Sequence, residues 1–270
     1  MALSNTNLSA RWLINEASGG DTSTTPAADD FSTQDLALTF WSGQFSWIDG
    51  GGSPDIHLYS TSATSTNGNG EYVLASGKPI YDDLNGSTTI TFEILCNVVT
   101  GNSSTGRIMA INDNAGNNPT FGFACDTSDF LFYWEGSVTD KWSLSGNTGW
   151  NVYHAVINTA EAANDRVKIY KNGSILSTTN VTAPGDTDGL SLNTTSHRVY
   201  LMNRYNGTGW NRSIVGGVAY AALYNETFST GRITDHNTEL ASNDDSPAVG
   251  GAIVFPAELF NPAKRPLYKR

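Results

Sequence analysis

Three observations predict an all-β chain, an antiparallel β-sandwich with one short helix and an extended C-terminal arm. Short apolar runs alternate with period two along most of its 270 residues. The links between them carry Gly, Asn, Asp, Ser and Pro, which supply the backbone angles that turns need. Only one stretch has a convincing helical pattern, and hydrophobic residues make up just 39% of the chain. Sandwiches commonly reach this size undivided, so the expected organisation is one domain over 1–242 followed by an arm over 243–270. A chain of this length buries roughly 70–75% of its unfolded surface and needs neither disulfide nor metal for stability.

The strands follow in order. At 91–98 the alternation places Phe92, Ile94, Cys96 and Val98 on one face, as a half-buried strand requires. Similar runs occupy 106–112, 120–125, 130–135, 152–158, 166–171, 199–203 and 215–224. Asn172 and Gly173 separate two such runs and predict a type I′ hairpin, because both tolerate positive φ. The helix is expected over about 229–240, with Ser229 as N-cap, as one or two turns plugging an end of the sandwich.

Four ordered segments carry a family resemblance: WNVYHAVI at 150–157, VKIYKNGSIL at 167–176, VYLMN at 199–203 and GGVAYAALYN at 216–225. With RWLINEASGG at 11–20 and the acidic pair Asp29 and Asp30, they resemble the strand series of laminin-G-like, concanavalin A-like jelly-roll domains. The resemblance spans about 10–240. It implies a lectin or glucanase scaffold. This chain has Gly217, Val218, Ala219 and Tyr220 where members often carry an acid, so it lacks that ligand for a family-type calcium site.

Retaining glucanases of that superfamily set carboxylates alternately along one strand, pairing nucleophile and general acid across the sugar. Here Glu93 stands alone in its strand, and the doublets Asp29–Asp30, Asp82–Asp83 and Asp244–Asp245 fall in turn-like segments. No nucleophile elbow, phosphate-binding Gly loop or zinc helix is present. The four histidines are scattered singly, and His154 reads as a hydrogen-bonded strand residue. Cys96 and Cys125 read as two buried free thiols on neighbouring strands, and a disulfide between them would need an oxidising setting. The chain is therefore expected to be no enzyme and to need no cofactor. The oxygen-rich 113–118 segment leaves calcium as an alternative to a plain turn, although its spacing misses the EF-hand pattern.

Sugar rings stack their C–H faces on aromatic planes and bond their hydroxyls to amides and arginine. Tyr205, Asn206, Trp210, Asn211 and Arg212 supply those groups in one loop and form the candidate carbohydrate site. The competing reading is that Trp210 caps the rim of the sandwich. Trp134, Trp142 and Trp150 read as core or sheet-face residues.

Net charge is −11; within 250–270 four basic residues meet one acid, a net of +3 that leaves −14 for the rest. So acidic a body argues against a nucleic-acid partner. No apolar run is long enough to span a bilayer, and no secretory signal opens the chain, so synthesis in a host cytoplasm without membrane insertion is expected. Residues 250–270 of the arm have three prolines, yet keep Phe255, Phe260 and Tyr268 beside Lys264, Arg265, Lys269 and Arg270. Such a segment is expected to lie extended against a partner surface, either another copy of the chain or another protein of the same particle. Together these features point to a virion protein of a tailed phage, a capsid decoration or tail-fibre component, with cell-surface glycans as further partners. A free-standing lectin is the alternative, and a polysaccharide hydrolase ranks third.

Overall fold

A computed structural model of the chain describes residues 3–14, 20–21, 45–49, 54, 56–64, 70–113, 118–205 and 209–242. The strands begin with β1 (Leu8–Leu13), β2 (Gly20–Asp21), β3 (Phe45–Asp49), β4 (Ile56–Thr61) and β5 (Gly70–Val73). After the short helix α1 (Pro79–Leu84) come β6 (Thr89–Gly101), β7 (Gly106–Asp113), β8 (Pro119–Cys125), β9 (Asp129–Trp134), β10 (Ser137–Ser143) and β11 (Asn151–Asn158). Then follow β12 (Val167–Lys171), β13 (Ser174–Ile175), β14 (Thr179–Asn180), β15 (His197–Leu201), β16 (Ile214–Tyr224) and the helix α2 (Thr230–Ser242).

Two antiparallel sheets form the expected jelly-roll sandwich. The larger runs β13-β12-β11-β6-β16-β4-β3-β2, with β1 also paired to β16. The smaller runs β14-β10-β9-β8-β7-β15-β5. Neighbours in both sheets come from distant parts of the chain, as the pairing of β6 with β16 shows at the centre of the larger one. One edge of β16 is shared: its first half pairs with β4 and its second half with β1.

Alternation decides what each face does. On β6, Phe92, Ile94, Cys96 and Val98 enter the core between the sheets, while Glu93 and Leu95 turn outward. Across the core, Phe121 and Phe123 of β8 meet Phe92, with ring centroids 5.7 and 5.1 Å apart. Phe130 stacks on Trp142 at 5.3 Å and 5°, and both lean on Tyr153. Trp134 and Trp142 are core residues, as expected. The hairpin at Asn172 and Gly173 forms, both with positive φ. Asn172 Oδ1 also accepts the Val152 N–H and its Nδ2 donates to Asn151 Oδ1, locking the turn onto β11.

Helix α2 forms where expected along the chain but has more than the expected one or two turns and docks elsewhere. It runs 13 residues and lies on the outer face of the larger sheet rather than across a sandwich end. The reason is the apolar outer face of that sheet, where Leu95, Val152, Val156, Ala219 and Ala222 need cover and receive Ile233 and Leu240. Helix α1, begun by Pro79, was not anticipated; Ile80 and Leu84 bury its inner side, and the Asp82–Asp83 doublet lies within it rather than in a turn.

Cys96 and Cys125 are free and buried, but they lie on β6 and β8 in opposite sheets rather than on neighbouring strands, because both point into the core between the sheets; burial raises both thiol pKa values. Among the described residues no helix is long and apolar enough to cross a membrane. The arm over 243–270, with all seven of its candidate contact residues, lies outside the described residues, as do the Asp29–Asp30 and Asp244–Asp245 doublets and 114–117 of the oxygen-rich loop.

Candidate functional site

The loop joining β15 to β16 is closed at its base by one side chain. Asn203, fully buried, accepts the backbone N–H groups of both Arg204 and Arg212 at 2.8 Å on its Oδ1. Above that pinch, Tyr205 and Trp210 pair as an isolated bridge, and Asn211 N–H donates to the Arg204 carbonyl at 3.2 Å. The loop lies against the outer face of the smaller sheet: Tyr200 OH donates to the Tyr205 carbonyl, and the Trp210 ring stands edge-on to Tyr200 at 6.0 Å.

Trp210 is therefore not an exposed platform. It is 9% exposed, wedged between Tyr200 and Tyr205, whose ring lies 5.6 Å away. The half-buried groups are Tyr205, Asn211 and Arg212. Asn206 lies outside the described residues.

A feature invisible in the sequence is the convergence of three arginines under this loop. The Arg107 N–H donates to the Arg212 carbonyl at 2.8 Å, which brings β7 to the loop. Arg107 and Arg204 are buried, and Arg107 donates through Nε to Asn112 Oδ1 and through Nη1 to the Thr105 carbonyl. Burial, and then the Arg204 and Arg212 charges, push the Arg107 pKa below the ordinary arginine range. Burial and the neighbouring Arg212 do the same to Arg204. Positive charge is thus concentrated at one spot of a chain of net charge −11. At its edge, Arg212 Nε and Asn211 Oδ1 are buried and have no hydrogen-bond partner. Those two atoms are closed to solvent, so a ligand meets the outer amino groups of the half-buried Arg212 guanidinium beside two further arginines, an arrangement that suits a carboxylate.

Glu93, the lone strand carboxylate, sits on the opposite side of the sandwich and is sealed. It is fully buried among His154 of β11, His236 of α2 and Tyr220 of β16. Ser4 N–H donates to His236 Nε2 at 3.0 Å, which leaves the ring proton on Nδ1, directed at Glu93 Oε2, also 3.0 Å away. His154 Nε2 is 3.5 Å from Glu93 Oε1. Arg11 closes the network through Nε to Tyr220 OH and Nη2 to Tyr224 OH. Burial, the largest influence, raises the Glu93 pKa, but the two imidazoles outweigh it and hold the carboxyl well below the usual range. A carboxylate so enclosed, ionised and bonded serves as a structural anchor and has no access to a polysaccharide. His154 is a buried strand residue, as expected, but it meets the network through the 3.5 Å contact with Glu93 and not through the expected hydrogen bond.

A cavity of about 320 Å³ lies beside α2 on the larger sheet, lined by Leu95, Trp150, Val152, Asn172, Asn237 and Leu240 together with Pro54 and Ala241. Trp150 reads from the sequence as a sheet-face residue, and its role as a cavity wall was missed; the glycine pair at 216–217 is the signal that could have found it. A Cβ on Gly217 would come within 2.8 Å of Trp150 Cη2 and 3.0 Å of His57 Cδ2, so the absent side chain is what lets both rings rest on β16. Among the described residues no group of three or more His, Cys, Asp or Glu side chains is placed to hold a metal ion.

Fold and surfaces together define a lectin-like jelly-roll sandwich. No family model and no curated protein matches the chain. Solved structures do. The binding domain of botulinum neurotoxin DC, in complex with rat synaptotagmin II, superposes with a TM-score of 0.54 at 13% identity, over 83% of this chain and 51% of that one. The same toxin's binding domain in complex with SialylT gives 0.53 at 14% identity, over 87% and 52%. Trypanosoma rangeli sialidase in complex with sialic acid gives 0.54 at 12% identity, over 87% and 33%. The chain thus spans about half the length of the toxin binding domains and a third of the sialidase.

Proposed function

We propose that this chain is a non-catalytic carbohydrate-binding module that takes acidic glycans at the loop joining β15 to β16. The observation that carries the reading is the convergence of Arg107, Arg204 and Arg212 beneath Tyr205, with the Arg212 guanidinium half-buried at its edge. Tyr205 offers a ring face, Asn211 and Arg212 bond hydroxyls and carboxylate, and Trp210 holds the loop in shape instead of stacking on sugar. The solved neighbours support this choice of ligand, since one is a sialidase holding sialic acid and another a toxin binding domain holding SialylT. The sialidase likeness raises the hydrolase alternative, against which stands the enclosure of Glu93.

The test is a glycan array with wild type and Arg212→Ala. Arg212→Ala removes an unused Nε without touching the backbone bonds that close the loop, so the fold persists. Binding concentrated on sialylated or uronate-containing glycans, and lost in the variant, supports the reading; equal profiles end it.

The setting we propose for the module is a tailed-phage virion, on its capsid or tail, with the 243–270 arm docking through Phe255, Phe260, Tyr268 and its basic residues onto other copies or other virion proteins. The apolar and basic composition of the arm beside a strongly acidic body supports this. Deleting residues 250–270 is expected to abolish incorporation into particles, and unchanged incorporation refutes it.

A further inference from the structure

We infer that the cavity beside α2 is a second ligand site, on the sheet opposite the arginine loop, and that it takes one N-acetylated hexosamine ring. This inference does not depend on the loop binding anything. Its volume, about 320 Å³, is at the small end of the range for small-molecule sites, enough for one or two sugar rings. Its walls divide by chemistry. Trp150 supplies an indole, half-buried and fixed by an edge contact with His57 at 4.6 Å and 71°. Leu95, Val152 and Leu240 supply an aliphatic surface. Asn237 supplies the polar group the protein itself leaves unused.

The two asparagines of the cavity differ in this respect. Asn172 is spent on the hairpin, its Oδ1 on Val152 N–H and its Nδ2 on Asn151. Asn237 Oδ1 is buried and has no hydrogen-bond partner, while its Nδ2 rests against the Asn172–Gly173 turn, 3.5 Å from where a Gly173 Cβ would stand. That oxygen is closed to solvent, so what a ligand in the cavity meets is the Nδ2 amide, a donor that has no acceptor among the described residues and can take a ligand carbonyl. An acetamido group supplies that carbonyl and a methyl for the aliphatic wall, and the pyranose C–H face suits the indole. None of the named lining side chains is charged, so the site is set for a neutral sugar, unlike the arginine loop.

The test is a two-dimensional ¹H–¹⁵N NMR titration of the whole chain with N-acetylglucosamine, following the Trp150 indole N–H and the Asn237 side-chain amide, with glucose as control. Saturable shifts of both resonances with N-acetylglucosamine, at least tenfold weaker with glucose, are expected. Two variants are read alongside. Asn237→Ala loses no internal hydrogen bond and is expected to weaken binding about tenfold or more. Ala241→Trp, at an exposed helix position that lines the cavity, is expected to fill it whether or not Asn237 can be replaced. Absent shifts, equal response to glucose, or binding unaltered in Ala241→Trp overturns the inference. Arg212→Ala is expected to leave this titration unchanged while abolishing binding of acidic glycans, so the two sites fail or stand separately.

Discussion

Replacing Glu93 with leucine is expected to cost about 3–5 kcal/mol, the loss seen when one member of a buried charged pair is removed and its partners remain. The structure shows where the loss arises. His236 Nδ1–H would lose its acceptor at 3.0 Å, and the contacts at 3.5 Å with His154 and Tyr220 would vanish. Arg11, nearly fully buried, would keep its charge without the carboxylate beyond the tyrosines. Because His236 also accepts Ser4 N–H, the defect spreads to the N-terminal segment and α2. Glu93→Gln keeps an acceptor oxygen and is expected to lose less, about 1–3 kcal/mol. Urea unfolding measures both, with an unchanged m-value showing that only stability moved. The double variant Glu93→Leu/His236→Leu is expected to lose less than the two single losses combined. A Glu93→Leu protein as stable as wild type would refute the anchoring role.

The other expected outcomes concern pH, the indole cradle, the core and the thiols. The Glu93 pKa is depressed in the folded chain, so its stabilisation is complete above the unfolded value of about 4.3 and drains away as pH falls below it. Wild type should therefore lose stability on acidification more steeply than Glu93→Gln, and parallel curves would show that another group controls the acid limb. Gly217→Ala forces a Cβ against Trp150 and His57 and is expected to cost about 1–3 kcal/mol and to move the Trp150 indole resonance; a still resonance would mean the rings rest elsewhere. Phe123→Ala empties the centre of the Phe92, Phe132 and Trp142 cluster, for an expected loss of about 3–5 kcal/mol in the same urea assay. Cys96 and Cys125, buried and with raised pKa values, should not react with a thiol reagent until the chain unfolds.

The strands were legible because period-two alternation records which side of a sheet a residue occupies. The run at 91–98 is the clearest case, its even-numbered members in the core and Glu93 and Leu95 outside. The hairpin at Asn172 was legible because the φ requirement of a type I′ turn selects its residues. Helix α2 was legible in kind but not in position, since its docking face depends on apolar residues of β6, β11 and β16 that meet only after folding. The same limit hid the two polar clusters. Glu93, His154 and His236 are spread over three elements, and each reads alone as an isolated polar residue. Arg107 lies on a strand far in sequence from Arg204 and Arg212, and only the pairing of Arg107 N–H with the Arg212 carbonyl joins them. Trp210 misled because loop composition indicates aromatic content but not which ring is covered; Tyr200, which covers it, belongs to the preceding strand.

Acidic-glycan binding at the loop is tested most directly by surface titration of wild type, Arg212→Ala and Glu93→Gln on an immobilised sialylated glycan. Wild type and Glu93→Gln are expected to bind alike without releasing sialic acid, and Arg212→Ala to lose at least tenfold in affinity. Undiminished binding by Arg212→Ala, or glycan cleavage that disappears in Glu93→Gln, would contradict a non-catalytic module that reads acidic sugars through its arginines.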